Sequence, residues 1–268
     1  MKRFLLLMFC FLSMFKICYS KDKEREFITR NDILSQKEIP VYGYRVVKEY
    51  FHDADNYTEG LLMDGGCFIY EGTGLYGHTY IIKTDLETGK IVLKKKVDNK
   101  YFGEGATILG DNFYQLTYIS NTGFIYDKNT FELKGEFYYS TQGWGLTTDG
   151  KSLIMSDGSS AIHFLDSNTL KEKKYILVSD GNRKIGFINE MEYINGKIYA
   201  NIWQTDFIVV ISPDSGKVDA WIDLTGINPN AGDDSFVLNG IAFNEKTKNL
   251  LVTGKCWPKI YEIQLISK

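Results

Sequence analysis

The chain has 268 residues, 44% of them hydrophobic and 24% charged, a balance that belongs to a globular protein and excludes a disordered one. Its net charge of −3 gives no electrostatic reason to bind nucleic acid or an anionic membrane, and three histidines leave little room for a His-based metal or triad site. With 17 Phe, 18 Tyr and 25 Gly against 4 Pro, the composition is that of many short strands joined by glycine turns.

The N-terminus reads as a targeting segment. Lys2-Arg3 is a basic start, an apolar run follows from Phe4 to Phe15, and Ile17-Cys18-Tyr19-Ser20 leads into a charged stretch. This is the order of a secretory signal peptide, too short for a comfortable membrane span. The expectation is cleavage near Ser20, with residues 21–39 as a polar extension, residues 40–268 as one domain, and a secreted or periplasmic location. Removing residues 1–20 takes away Lys2, Arg3 and Lys16 and no acid, so the net charge moves from −3 to −6. Cys10 and Cys18 leave as well. Cys67 and Cys256 remain, at opposite ends of their predicted strands, which disfavours a disulfide.

The next strand, Val41-Tyr42-Gly43-Tyr44-Arg45-Val46-Val47-Lys48-Glu49-Tyr50, has no neighbour of its own. After it an internal repeat begins. Glu59-Gly60-Leu61-Leu62, Glu104-Gly105-Ala106-Thr107, Trp144-Gly145-Leu146-Thr147, Asn189-Glu190-Met191-Glu192 and Asn239-Gly240-Ile241-Ala242 each open an apolar run that ends in a tight polar turn. Their starts are 45, 40, 45 and 50 residues apart, the period of four-stranded propeller blades. Each unit continues with a strand that ends in an Asp, Asn, Ser or Gly turn, as in Phe124-Ile125-Tyr126-Asp127-Lys128-Asn129-Thr130. The fifth copy, from Lys259 to Leu265, stops without an outer strand. The unpartnered N-terminal strand can supply it, which predicts an all-β, five-bladed β-propeller closed by that strand on the last blade. The alternative, a β-sandwich, does not need a period near 45.

Register-equivalent residues of successive blades lie on a ring around the axis. Glu59, Glu104, Trp144, the Asn189/Glu190 pair and Asn239 therefore converge at one mouth of the central channel, beside Tyr57 and Phe102. Acids with aromatic walls suit a cationic or amine-bearing ligand. A carboxyl raised in pKa by burial and a like charge can serve as a general acid/base, although such residues also cap strand ends.

At these residues the sequence resembles the plant-type (type II) glutaminyl cyclases. The matching pieces include Tyr57-Thr58-Glu59-Gly60-Leu61, Glu71-Gly72-Thr73-Gly74-Leu75-Tyr76-Gly77, Phe102-Gly103-Glu104-Gly105 and Gly143-Trp144-Gly145-Leu146. Asn189-Glu190-Met191-Glu192-Tyr193, Ala200-Asn201-Ile202-Trp203, Leu238-Asn239-Gly240-Ile241 and Val252-Thr253-Gly254-Lys255-Cys256-Trp257-Pro258 continue the family's order. The resemblance implies a five-bladed propeller that converts an N-terminal glutamine to pyroglutamate and releases ammonia. It puts the essential carboxylate on Glu104 and pocket positions on Tyr57, Glu59, Phe102, Tyr118, Trp144, Asn189, Trp203 and Lys255. Tyr57 stands for Phe, Glu59 for Gln and Tyr118 for Trp of the plant pattern. It also implies no catalytic zinc and substrates that are peptides or proteins with an N-terminal glutamine. The expectations beside it are no cofactor, a monomer, no nucleic acid, and no membrane after signal removal.

On this basis Glu104 is expected to shuttle a proton from amine to leaving ammonia, Lys255 or Asn189 to stabilise the oxyanion, and Glu59 to bind the amine. Trp144, Trp203, Phe102 and Tyr118 would wall the pocket. Open alternatives are that Trp144 and Trp203 are core aromatics and that Lys255 pairs with an acid to hold the last blade. Asp233-Asp234 reads as a solvated loop, with calcium binding or a place at the pocket rim as alternatives. His52, His78 and His163 carry no assigned role. The rival functions are a non-catalytic propeller that binds peptide amino termini and a metal-dependent lyase or lactonase.

Overall fold

The structure is a computed structural model and describes residues 27–268 apart from 182, 231, 232 and 234. The expected signal peptide and Asp234 lie outside the described residues. A short helix, α1 (Arg30–Leu34), precedes the strands; Thr29 caps it and accepts from Asp32 N at 3.2 Å. Ile28 and Ile33 are buried, so the second half of the stretch 21–39 packs on the body of the protein.

The rest is all-β. After β1 (Val41–Phe51), the first unit is β2 (Thr58–Asp64), β3 (Phe68–Thr73), β4 (Tyr80–Asp85) and β5 (Ile91–Lys96). The second is β6 (Gly103–Leu109), β7 (Asn112–Thr117), β8 (Thr122–Asp127) and β9 (Leu133–Tyr138). The third is β10 (Leu146–Thr148), β11 (Ser152–Ser156), β12 (Ala161–Asp166) and β13 (Glu172–Leu177). Each is an antiparallel four-stranded sheet in sequence order. The remaining strands are β14 (Ile188–Ile194), β15 (Lys197–Ile202), β16 (Phe207–Ile211), β17 (Val218–Asp223), β18 (Leu238–Asn244), β19 (Asn249–Gly254) and β20 (Lys259–Ser267). They form one eight-stranded sheet with β1, ordered β14-β15-β16-β17-β1-β20-β19-β18. β1 runs antiparallel along β20 from Tyr42 opposite Ser267 to Phe51 opposite Lys259. It meets β17 only through Val41 with Trp221 and Tyr42 with Ile222, in parallel.

The repeat has a local cause. At the turns after β4, β8 and β12 the side chains of Asp85, Asp127 and Asp166 accept backbone N–H groups two or three residues on. Gly89, Phe131, Leu170 and the matching Gly216 then take positive φ and close the hairpin onto β5, β9, β13 and β17. Burial falls from the first strand of a sheet to the last. β2 and β6 begin with five buried residues each, whereas β5, β9 and β13 are mostly exposed and carry the Lys and Glu of the sequence. β17 departs from this because the N-terminal segment covers it: Trp221 is wholly buried, and its N–H donates to the Pro40 carbonyl at 2.9 Å.

The core lies between sheets. Leu62 and Tyr70 pack with Phe113, Tyr114 and Leu116 with Leu153, Ile162 with Met191, and Ile208 with Ile241. A further cluster joins Ala242, Leu251 and Ile260 back to Leu61 and Ile69. The first strands neighbour one another in the cyclic order β2, β6, β10, β14, β18, β2. They approach so closely that a Cβ on Gly105 would lie 2.4 Å from Leu146 N, and one on Gly145 2.0 Å from Asn189 O. Glu190 takes the equivalent place in β14. Its carboxylate accepts from Leu61 N at 3.1 Å and Ile241 N at 2.8 Å, tying three inner strands together.

Candidate active site

The side chains singled out in the repeat sit at one end of the inner strands, and the backbone there is irregular. Register shifts fall between Thr58 and Gly60, Gly103 and Ala106, Ile188 and Met191, and Leu238 and Ile241. Glu59, Glu104, the Asn189/Glu190 pair and Asn239 lie within these bulges. A bulge re-aims a side chain that regular pleating would send into the next sheet. The repeat is therefore broken where the polar residues gather.

Glu59 is the hub. Its Oε1 accepts from Lys255 Nζ at 2.6 Å and its Oε2 from Asn239 Nδ2 at 3.1 Å, while Glu104 is hydrogen-bonded to the same carboxyl. The side chain of Glu59 is 1% exposed and that of Lys255 7%. Burial pushes Glu104 well above the usual carboxylic range, and the neighbouring Glu59 charge adds to this against the opposing pull of Lys255. Burial also lifts Glu59, although Lys255, Glu104 and Asn239 each favour its ionised form. Lys255 stays an ammonium, because the Glu59 charge overcomes the desolvation that would lower it. The resting arrangement is thus Lys255 ammonium, Glu59 carboxylate and Glu104 acid, three ionisable groups of zero net charge.

An aromatic wall surrounds them. Lys255 Nζ lies 4.5 Å from the centroid of the Tyr57 ring. Phe102 meets Tyr57 edge-on at 6.3 Å, Tyr76 at 5.6 Å and Tyr118 at 6.0 Å. Trp144 and Trp203 are perpendicular with centroids 6.0 Å apart, and Trp203 continues to Phe187 at 6.0 Å. Trp144, Tyr118 and Phe102 belong to one apolar cluster, against which Tyr57 and Trp203 pack half-buried. Burial pushes the Tyr57 hydroxyl up to about 12, so it remains a neutral phenol. Asn189 is 3% exposed, its carbonyl accepts from Ser156 Oγ at 2.8 Å, and its Oδ1 has no hydrogen-bond partner among the described residues.

Backbone conformation is unusual on the same face. Leu75, Phe187, Gln204 and Cys256 have positive φ, and they stand next to Tyr76, Ile188, Trp203 and Lys255. Such conformations in bulky residues cost of order 1–3 kcal/mol each and collect at functional sites.

The structure thus brings together Glu59, Glu104, Lys255, Tyr57, Phe102 and Tyr118, and beside them Trp144, Trp203 and Asn189. Lys255 pairs with an acid, as one sequence alternative had it, but the acid comes from the first unit. Both carboxylate oxygens of Glu59 are occupied within the protein. Cys67 and Cys256 are free thiols. The sequence reading overlooked Tyr76, Asn239 as a ligand of Glu59, and the buried partners His52 and Glu71; Tyr76 and Glu71 stand within a quoted motif piece, which was the available signal. Among the described residues no group of three His, Cys, Asp or Glu could hold a metal ion.

A propeller-like all-β fold with a buried carboxyl pair, one ammonium and aromatic walls at one end of its inner strands defines the class of protein. The chain belongs to the glutamine cyclotransferase family, whose sequence profile matches residues 15–265. It is 44% identical over 225 residues to glutaminyl-peptide cyclotransferase of Arabidopsis thaliana, covering 82% of this chain and 70% of the plant protein. The crystal structure of Myxococcus xanthus glutaminyl cyclase superposes with a TM-score of 0.79 at 28% identity, covering 86% of this chain and 99% of that one.

Proposed function

We propose that this protein is a glutaminyl-peptide cyclotransferase that closes the N-terminal glutamine of peptides or proteins to pyroglutamate and releases ammonia. The observation that carries the reading is the buried Glu104 carboxyl, hydrogen-bonded to the Glu59 carboxyl inside an aromatic enclosure and raised by that burial. Family membership and the plant relative support it.

The substrate amine attacks the carbon of its own side-chain amide, so the bond formed is N–Cδ and the bond broken is Cδ–Nε2. Holding the side chain folded back supplies much of the rate, since the reaction is intramolecular. The amine must be neutral to attack, yet α-amino groups titrate near 7.7–8.0. A carboxyl of raised pKa solves this. An ammonium beside a Glu104 carboxylate and an amine beside a Glu104 acid hold the same number of protons, and burial favours the uncharged pair. Glu104 then carries the proton taken from the attacking nitrogen to the departing one, which leaves as ammonia. A shuttle of this kind is worth about 10²–10⁴ in rate.

Glu59 sets the proton on Glu104, and Lys255 sets the charge on Glu59. Lys255 Nζ has donors beyond the one given to Glu59 and can stabilise the oxyanion, while Asn189 Oδ1 is an acceptor suited to a substrate N–H. Tyr57, Phe102, Tyr118, Trp144 and Trp203 exclude water and hold the glutamine side chain.

We also read the fold as five blades, with β1 as the outer strand of the last. The cyclic order of inner strands and the apolar clusters that join each unit to the next support this. The signal-like N-terminus supports an exported enzyme acting on secreted peptides. The test is ammonia release from a Gln-initiated dipeptide, with the matching mass loss, by wild type and Glu104→Gln. Release that the substitution abolishes upholds the reading; folded wild-type protein that releases no ammonia above the spontaneous rate leaves only a peptide-binding platform.

A further inference from the structure

Lys255 and Tyr57 reach the centre from two separate stretches of chain, and one buried ion pair holds both. His52 follows β1, is 5% exposed, and has a partner on each ring nitrogen. Nδ1 faces the Trp257 carbonyl at 2.5 Å and Nε2 faces Glu71 Oε1 at 3.1 Å. A carbonyl and a carboxylate bring no proton of their own, so both ring nitrogens donate and the ring is an imidazolium. Among the described residues the other hydrogen-bonding group at Nε2 is the Thr58 hydroxyl at 3.4 Å, and its proton goes to Glu71 Oε1 at 2.7 Å.

Glu71, in β3, is 4% exposed. Its other oxygen accepts from Asn56 Nδ2 at 2.7 Å. The network therefore grips residues 56 and 58 on either side of Tyr57, immediately before Glu59. On the opposite side it grips the turn after Lys255: Cys256 N donates to the Asn56 carbonyl at 2.9 Å and His52 N to the Pro258 carbonyl at 3.1 Å. Cys256, at φ 57°, carries the bend that separates the held turn from Lys255. What these groups fix is the spacing between Lys255, which follows β19, and Tyr57 and Glu59 at the entry to β2.

We propose that the His52–Glu71 ion pair is the positioning element of the site, holding Lys255 over Tyr57 and against Glu59 so that it acts on cyclisation through Lys255. The proposal rests on the cyclase reading above. An ammonium displaced from a buried carboxylate by even one ångström changes the charge that Glu104 feels, at large effect on rate.

The experiment is a double-mutant cycle between His52→Gln and Lys255→Met, read as kcat and KM for a Gln-initiated dipeptide. His52→Gln in the wild-type background is expected to lower kcat about tenfold or more and to change KM by less than about threefold. In the Lys255→Met background it is expected to add no more than about a twofold loss. An equal loss in both backgrounds, or activity of His52→Gln within twofold of wild type, overturns the proposal. A readout independent of turnover is the nuclear magnetic resonance signal of the Lys255 ammonium in isotope-labelled protein. His52→Gln is expected to shift or broaden it, and an unmoved signal overturns the proposal. Wild-type protein without ammonia release would sink the cyclase reading and leave this second readout to decide the positioning. Where His52→Gln does not fold, Glu71→Gln keeps the shape of the network, removes its charge, and carries the same measurements.

Discussion

Lys255 Nζ lies 2.6 Å from Glu59 Oε1, although the two residues are 196 positions apart and almost wholly buried. This pair closes the last repeat onto the first and fixes the charge at the centre of the site. Removing one partner of such a pair leaves the other charge stranded, at about 3–5 kcal/mol. Lys255→Met is therefore expected to destabilise the protein by about that amount at pH 8. The loss should be smaller at pH 5, because burial raises Glu59 and acid favours the neutral form, which leaves no stranded charge. Glu59→Gln combined with Lys255→Met should recover part of the stability. Denaturant titration of wild type and the two variants at both pH values measures this.

Glu104→Gln separates chemistry from folding. The amide keeps the size of the side chain and can still donate to Glu59, so the melting temperature should stay within a few degrees of wild type. It cannot accept the amine proton, so kcat should fall by about 10²–10⁴. Equal loss of stability and activity would remove Glu104 from the mechanism.

Glu59→Gln should move the pH profile in a known direction. The Glu59 charge and its hydrogen bond both raise Glu104, whereas Lys255 lowers it. Burial still raises Glu104 in the variant, but with the Glu59 charge gone the pull of Lys255 is no longer opposed by it, so the Glu104 pKa comes down from its wild-type position. The limb of the kcat/KM profile that reports Glu104 should shift toward acid, with lower activity at neutral pH. A profile displaced toward alkali would contradict the charge assignment.

Stability itself should fall as pH rises. Burial pushes Glu192 from 4.5 up to about 8, against a hydrogen bond from Thr147. Burial would lower His52, but the Glu71 charge outweighs it and raises the imidazole. In both cases the folded state holds its proton more tightly than the unfolded one. Their contribution is complete below the unfolded pKa and is lost as pH rises through the folded value. The melting temperature should decline between about pH 4.5 and pH 8, and Glu192→Gln should flatten that decline. A melting temperature that climbs across this range would refute it.

Much of the fold was legible because its cause is local. The Asp turns, the period near 45 residues and the Lys-rich outer strands all appear in the sequence, since each unit must build its own hairpins. The antiparallel pairing of β1 with β20 was also foreseeable, because β20 had no outer neighbour in sequence and β1 had no partner. The contribution of residues 27–36 was not legible: Ile28 and Ile33 are isolated apolar residues in a polar stretch, and only packing against a completed sheet gives them a place.

For the site, the sequence by itself determined which residues stand at the ring, because register within a repeat follows from strand periodicity. Register named Glu59, Glu104 and Asn189, and the family resemblance named Lys255, without fixing what each touches. Only the tertiary structure decided that Lys255 answers Glu59, that Glu104 keeps its proton, that Glu190 crosses to two neighbouring strands, and that His52 and Glu71 grip the chain around both. Those are contacts between repeats. Hydrophobic periodicity reports which face a residue takes within its own sheet. The charge it carries depends on what the neighbouring sheets bring against it out of water.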